Sequence, residues 1–176
     1  MKEATADLQR MAKTRTLCGE DFDILSGDDD KTYEMMTLND IRASGVVSVM
    51  SNIVPGPIHE MVKAIRNGDM ERGNRLKDLL DPLFKVVTVN TIESYEGFDV
   101  PAKFRNPLAI KTMMKGLGLP SGPCRPPLGK MTPKGVEVVR NALKEVYQKD
   151  KEVFAPLQDF YKINMEERLS NDRHWK

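Results

Sequence analysis

Lys2 is the residue of this sequence best suited to covalent chemistry. It precedes a run in which Ala4, Leu8 and Met11 recur at helical spacing, so the segment is predicted to pass from a strand end into a helix, with Thr5 as N-cap. An amine that is desolvated at the end of a buried strand has a lowered pKa and can attack a carbonyl to form an imine. The alternative is that Lys2 is a solvated terminal residue.

Two short β-like runs follow and would position the lysine segment. Residues 22–25 close on the turn Ser-Gly-Asp-Asp at 26–29, and residues 45–50 close on Ser-Asn. Helical patterns follow each run, at 33–41 and 58–65. Alternating β and α segments predict parallel strands joined by crossover helices.

After residue 69 the apolar spacing is helical. It predicts helices over 76–87, 110–117 and 136–146, and a last, loosely held helix over 153–175. A loop rich in turn-forming residues is predicted between 87 and 107, and a connector rich in proline and glycine follows the 110–117 helix.

The other candidates for chemistry have simpler structural interpretations. Asp28–Asp30 could form a metal-binding or acid/base cluster, but carboxylates at a helix start more often cap the helix. His59 lies in an amphipathic helix and His174 in the tail, neither at ligand spacing, so both are expected to be solvated. The Gly-Leu-Gly-Leu segment at 116–119 follows a helix and predicts a helix stop, not a phosphate loop.

Composition excludes several classes of function. Twenty-seven basic and 26 acidic residues leave a net charge of +1, which predicts no nucleic-acid partner. No apolar stretch is long enough to span a membrane, and no leader pattern is present, so the expected location is the cytoplasm. Cys18 and Cys124 are too few for a disulfide framework or a zinc site.

Five motifs occur in an order that resembles the C-terminal half of the dihydrodipicolinate synthase and N-acetylneuraminate lyase family. These proteins are pyruvate-dependent class I aldolases and lyases built on a (β/α)₈ barrel. In chain order the motifs are Lys2-Glu3-Ala4-Thr5, Ser26-Gly27-Asp28-Asp29, Gly45-Val46-Val47-Ser48-Val49, Asn106-Pro107 with Lys111, and Gly118-Leu119 followed by Arg125-Pro126-Pro127-Leu128.

The resemblance implies a fold and a mechanism. The chain would hold the end of barrel strand 6 and strands 7 and 8, followed by a mainly helical C-terminal region. Lys2 would form the Schiff base with pyruvate, Gly27 would lie against the bound pyruvate, and Val47 would lie beside the imine. The Ser-Gly-Asp-Asp motif favours a synthase that condenses pyruvate with aspartate semialdehyde in lysine biosynthesis. No metal or organic cofactor is implied, because the protonated imine is the electron sink.

The resemblance also implies what this sequence lacks. The family's G-T-T-G-E segment, its catalytic tyrosine and the arginine that recognises the second substrate have no counterpart here, so the chain is expected to be inactive alone. We divide it into a partial barrel at 1–68, a helical domain at 69–149 and a helical extension or tail at 150–176. A homo-oligomer or a complementary N-terminal half is the expected partner. A related sugar-acid lyase and a non-catalytic interaction module remain as alternatives.

Overall fold

The computed structural model describes all residues from Met1 to Lys176. The chain divides into two compact units, Met1–Asp81 and Pro82–Lys176. The division falls inside a helix, and the second unit includes residues 150–176.

The first unit contains a parallel sheet of three short strands in the order β1-β2-β3. The strands are β1 (Lys2–Glu3), β2 (Leu25–Ser26) and β3 (Gly45–Val46), and the helices are α1 (Leu8–Cys18), α2 (Thr32–Thr37), α3 (Pro55–Arg66) and α4 (Met70–Phe84), which extends into the second unit. The predicted alternation of parallel strands and helices is confirmed.

Helix α1 begins later than expected. Its N-cap is Asp7, whose side chain accepts a hydrogen bond from the Arg10 amide, and Thr5 lies outside the helix. Farther along α1, the buried Arg15 guanidinium donates to five main-chain carbonyl oxygens, among them those of Ile41 and Phe22. Arg15 therefore fixes the chain around β2 without a carboxylate partner.

The second unit contains a β-hairpin where a loop was expected. Strands β4 (Val89–Tyr95) and β5 (Phe98–Phe104) pair antiparallel, with Val89 opposite Phe104. The connecting residues Glu96 and Gly97 both have positive φ, the geometry of a two-residue hairpin turn. The prediction was wrong because most hairpin side chains are exposed, so no regular apolar alternation marks the strands.

Helices α5 (Leu108–Leu117) and α6 (Pro133–Lys149) form the centre of the second unit and confirm the predicted helices. Helix α5 ends at Gly118 in the left-handed conformation, so the predicted helix stop is also confirmed.

The predicted final helix over 153–175 is instead four short segments. A 3₁₀ turn at Lys151–Phe154 leads into α7 (Ala155–Tyr161) and α8 (Met165–Ser170), and a second 3₁₀ turn ends at Trp175. Lys162, with φ of 54°, interrupts the helical path. Phe154, Met165 and Trp175 are buried, so this segment, residues 150–176, packs into the core and is not loosely held.

Candidate active site

Lys2, Gly27 and Val47 lie on one face of the parallel sheet. Lys2 pairs with Leu25, which pairs with Gly45, and side chains two residues apart along a strand share a face. Two hydrogen bonds continue this alignment past the strand ends: the Gly27 amide donates to the Glu3 carbonyl at 2.6 Å, and the Val47 amide donates to the Ser26 carbonyl at 2.8 Å. The three predicted site residues are therefore brought together by the backbone.

Gly27 lies directly against Lys2. A Cβ atom at position 27 would stand 2.7 Å from Lys2 Cε, 2.6 Å from Ala4 Cβ and 2.9 Å from the Glu3 carbonyl oxygen. Side chains do not pack at such distances, so only glycine allows the lysine side chain to lie across this strand end.

The Lys2 side chain is not desolvated in this chain. Lys2 and Ala4 are exposed, and 44% of Val47 is accessible to solvent. The burial expected of a strand-end lysine is therefore not provided by these 176 residues. The face offers an accessible amine above a glycine and beside an apolar side chain.

Two aspartates tie together the loops that follow the three strands. Asp28 Oδ2 accepts from the Ala6 amide in the loop after β1, at 2.9 Å. Asp29 Oδ2 accepts from the Val49 and Met50 amides in the loop after β3, each at 3.0 Å. Asp28 and Asp29 therefore hold the loops that flank Lys2 and Val47.

Asp29 is a buried carboxylate with a perturbed pKa. Burial raises the pKa of its carboxyl group, and hydrogen bonds from Ser48, Met50 and Val49 oppose that rise. The predicted capping of the following helix was wrong, because no side chain caps either the 3₁₀ turn at Asp29–Lys31 or helix α2. Asp29 instead binds the amides at the start of the 3₁₀ turn at Met50–Asn52, in the loop after the neighbouring strand β3. The signal available in the sequence was its place in the Ser-Gly-Asp-Asp turn that follows a predicted strand.

Neither histidine belongs to the strands that form this face. His59 is exposed on α3, as expected. The prediction that His174 is solvated was wrong, because only 13% of its side chain is exposed. Its ring lies 2.9 Å from an Arg168 nitrogen and 2.8 Å from the Glu167 carboxylate. No group of three or more His, Cys, Asp or Glu side chains is placed to hold a metal ion.

Comparison with known proteins decides the family. A model of the dihydrodipicolinate synthetase family matches residues 1–146. The chain belongs to this family. The 4-hydroxy-tetrahydrodipicolinate synthase of Thermoanaerobacter sp. (strain X514) is 35% identical over 143 residues, which are 81% of this chain and 42% of that protein. The chain therefore spans less than half the length of the curated relatives that it matches.

Solved structures of the dihydrodipicolinate synthetase family share the fold. The crystal structure of dihydrodipicolinate synthase from Aquifex aeolicus matches with a TM-score of 0.66 and 34% identity, over 82% of this chain and 43% of that one. The 4-hydroxy-tetrahydrodipicolinate synthase of Methylacidiphilum fumariolicum SolV matches with a TM-score of 0.70 and 30% identity, over 86% and 45%. The α/β class predicted from the sequence is confirmed by these matches.

The family model matches the chain up to residue 146, so the segment 150–176, which follows α6, lies outside the match.

None of the helices is long and apolar enough to cross a bilayer.

Proposed function

We propose that this chain carries the imine-forming part of a dihydrodipicolinate synthase-like active site. The three parallel strands would be the end of strand 6 and strands 7 and 8 of a (β/α)₈ barrel, and the face that holds Lys2 would be the mouth of that barrel. The observation that supports this most directly is the close approach of Lys2 to Gly27, beside exposed Val47.

In this proposal Lys2 Nζ attacks the keto carbon of pyruvate, and loss of water leaves a protonated imine. Loss of a methyl proton then gives an enamine, whose carbon attacks the aldehyde of aspartate semialdehyde. Because Gly27 has no Cβ, the Lys2 side chain can lie against the strand end and hold the pyruvate unit beside it. Val47 provides an apolar neighbour beside the imine.

The proton acceptor and the aldehyde site would come from other parts of the barrel. The aligned positions of this face are Lys2, Ala4, Leu25, Gly27, Gly45 and Val47, so Lys2 is the one titratable side chain among them. The 176 residues would therefore form the imine but not complete the condensation. Full activity would require the segments that the longer relatives contain and these residues do not.

The test is trapping of the imine with a reductant. The purified chain is incubated with pyruvate, reduced with borohydride and digested, and the modified residues are identified by mass spectrometry. We expect a reduced pyruvyl adduct on Lys2, and no adduct at that position in Lys2→Arg. Lys31→Arg is the matched control, because Lys31 is a partly exposed lysine of the same unit, and it should leave the adduct unchanged.

The terminal amine is a competing imine former, and in the structure it donates to the Asp23 carbonyl at 2.5 Å. Acetylation of that amine should leave the Lys2 adduct in place. An adduct confined to Met1, or Lys2 labelling no greater than that of Lys13 on helix α1, would refute the proposal. Formation of the condensation product by the 176 residues alone would refute the part that assigns proton transfer to other segments.

A further inference from the structure

The second unit contains a cavity of about 580 Å³, which has no part in the lysine chemistry proposed above. One wall is a stripe of helix α5 that presents Leu108, Lys111, Thr112 and Lys115 at helical spacing. The connector between α5 and α6 forms a second wall, and the turn that contains His174 and Trp175 closes a third. Its volume lies within the range of small-molecule sites, which is about 300–1,000 Å³.

The interior walls are mainly apolar. Leu108, Met131 and Trp175 are buried residues that line the cavity, and Val136 of α6 lies beside them. Trp175 is held in place by its ring nitrogen, which donates to the Arg168 carbonyl at 2.8 Å, and by close packing against Gly116. An apolar wall that is already formed favours a ligand with an apolar body.

The charged side chains around the cavity have one sign. Lys111, Lys115, Lys130 and Lys176 line it, and no Asp or Glu side chain does. Lys111 Nζ donates to the Pro123 carbonyl at 2.9 Å, and Lys115 Nζ donates to a main-chain oxygen of Lys176 at 2.6 Å. Lys176 is the last residue of this chain, so its main-chain oxygen belongs to the terminal carboxylate and offsets the charge of Lys115. Lys111 donates to a neutral carbonyl, so it keeps its charge and further hydrogen-bonding capacity for an anionic group.

We propose that this cavity binds a small organic anion that has an apolar, ring-sized body and a single carboxylate-like or sulfonate-like group. The body would lie against Trp175 and Met131, and the anionic group would lie among the lysines of α5 and the connector. The wall that contains Trp175 lies beyond the residues matched by the family model, so the site depends on the segment 150–176 of this chain.

A matched pair of fluorescent probes tests the charge requirement. Anilinonaphthalene sulfonate has an apolar ring body and one negative charge, whereas N-phenylnaphthylamine has the same ring system without the sulfonate. We expect saturable binding of the sulfonate at one site per chain, with the neutral probe bound about tenfold more weakly, equivalent to one favourable charge interaction. Equal affinity for both probes, or no saturation, would overturn the proposal.

The two cysteines of the chain locate the probe without any substitution. Cys124 lines the cavity and is partly exposed, whereas Cys18 is exposed in the first unit. Bound sulfonate probe should slow the alkylation of Cys124 by N-ethylmaleimide and leave that of Cys18 unchanged, as measured by mass spectrometry. Equal protection of both thiols, or protection of neither, would contradict binding in this cavity.

Two pairs of variants complete the test. Val136→Trp would fill the cavity and abolish probe binding, whereas Val138→Trp places the same side chain at an exposed position of the same helix and should bind as the parent does. If Val136→Trp does not fold, Lys130→Glu decides, because Lys130 is exposed and its replacement leaves the core intact. Lys130→Glu should weaken binding of the sulfonate probe severalfold and leave binding of the neutral probe unaffected. Lys103→Glu on β5 is the control and should change the binding of neither probe. Unchanged sulfonate binding in Lys130→Glu would overturn the charge assignment.

Discussion

In residues 1–81 the sheet face that holds Lys2 is open to solvent, whereas in residues 82–176 the C-terminal part of helix α5 lies under the ring of Trp175. A Cβ atom at Gly116 would stand 2.5 Å from that ring, so the two surfaces are in close contact. The first unit presents an uncovered reactive side chain, and the second covers its apolar surface with its own C-terminal segment.

This difference suggests how the two units depend on structure outside themselves. A lysine that forms imines works best where water is excluded, and the first unit does not exclude it. In the second unit, Phe154, Met165 and Trp175 are buried, and all three lie after the residues matched by the family model. We infer that the site of the first unit needs a cover from other segments, whereas the core of the second unit does not.

The largest effect is expected from Gly27→Ala. The added methyl group would collide with Lys2 Cε and with the Glu3 carbonyl oxygen, and the backbone contact cannot be relieved by a rotamer change. Displacement of the lysine by about 1 Å should reduce the yield of the reduced pyruvyl adduct by about a hundredfold. The measurement is quantitative peptide mass spectrometry after borohydride reduction.

Gly56→Ala is the control for this substitution. Gly56 lies in the first turn of α3, and a Cβ atom there would meet nothing within 4 Å. It should retain the adduct at the parental level. If Gly27→Ala also retained it, close approach of glycine to lysine would not be what prepares the site.

Trp175→Ala is expected to affect the second unit alone. Loss of a buried indole and of its hydrogen bond to the Arg168 carbonyl should lower the free energy of unfolding of this unit by about 3 kcal/mol. Hydrogen exchange of peptides from α5 and α6 measures the change, and peptides from α1 to α3 should be unaffected.

Phe160→Ala provides the comparison for that experiment, because Phe160 is an aromatic residue of the same segment with 79% of its surface exposed. Its effect should remain below about 0.5 kcal/mol. Similar losses from the two substitutions would mean that the segment 150–176 does not act as a cover.

The fold of both units could be predicted from sequence where the pattern was strong. The runs that end at Ser-Gly-Asp-Asp and at Ser-Asn indicated parallel strands, and α3, α5 and α6 have clear apolar faces. The hairpin β4–β5 could not be predicted in the same way, because its inward contacts are limited to residues near its ends, such as Val89 and Phe104.

The residues of the candidate site could be predicted from the sequence, but their exposure to solvent could not. Residue types and order indicated Lys2, Gly27 and Val47, and strand alignment explains why they share a face. Solvent exposure of Lys2 depends on which segments surround it, and local spacing does not contain that information. The same holds for His174, which contacts Glu167 and Arg168 only because the turn at Asn171 reverses the chain.

The smallest effect is expected from Asp29→Asn, as a change in pH dependence. Burial raises the pKa of Asp29 above its ordinary value of 3.8, so the folded state holds this proton more tightly than the unfolded state does. The contribution of Asp29 to stability is therefore greatest at low pH and is lost as pH rises from about 3.8 through the raised value. Asparagine keeps an acceptor oxygen for the Val49 and Met50 amides but does not titrate, so this decline should disappear.

Hydrogen exchange in the segment after β3, corrected for intrinsic rates at each pH, measures this change, and Glu167→Gln in the second unit is its counterpart. Hydrogen bonding by His174 is the largest cause that lowers the pKa of Glu167, so its contribution is present at neutral pH and is lost as pH falls below the ordinary value of 4.5. The two substitutions should therefore remove pH dependences of opposite sign, one in each unit. If Asp29→Asn left the decline unchanged, the carboxylate that joins the loops beside the candidate site would not be a desolvated charge, and the first unit would be open to water there as well as on its Lys2 face.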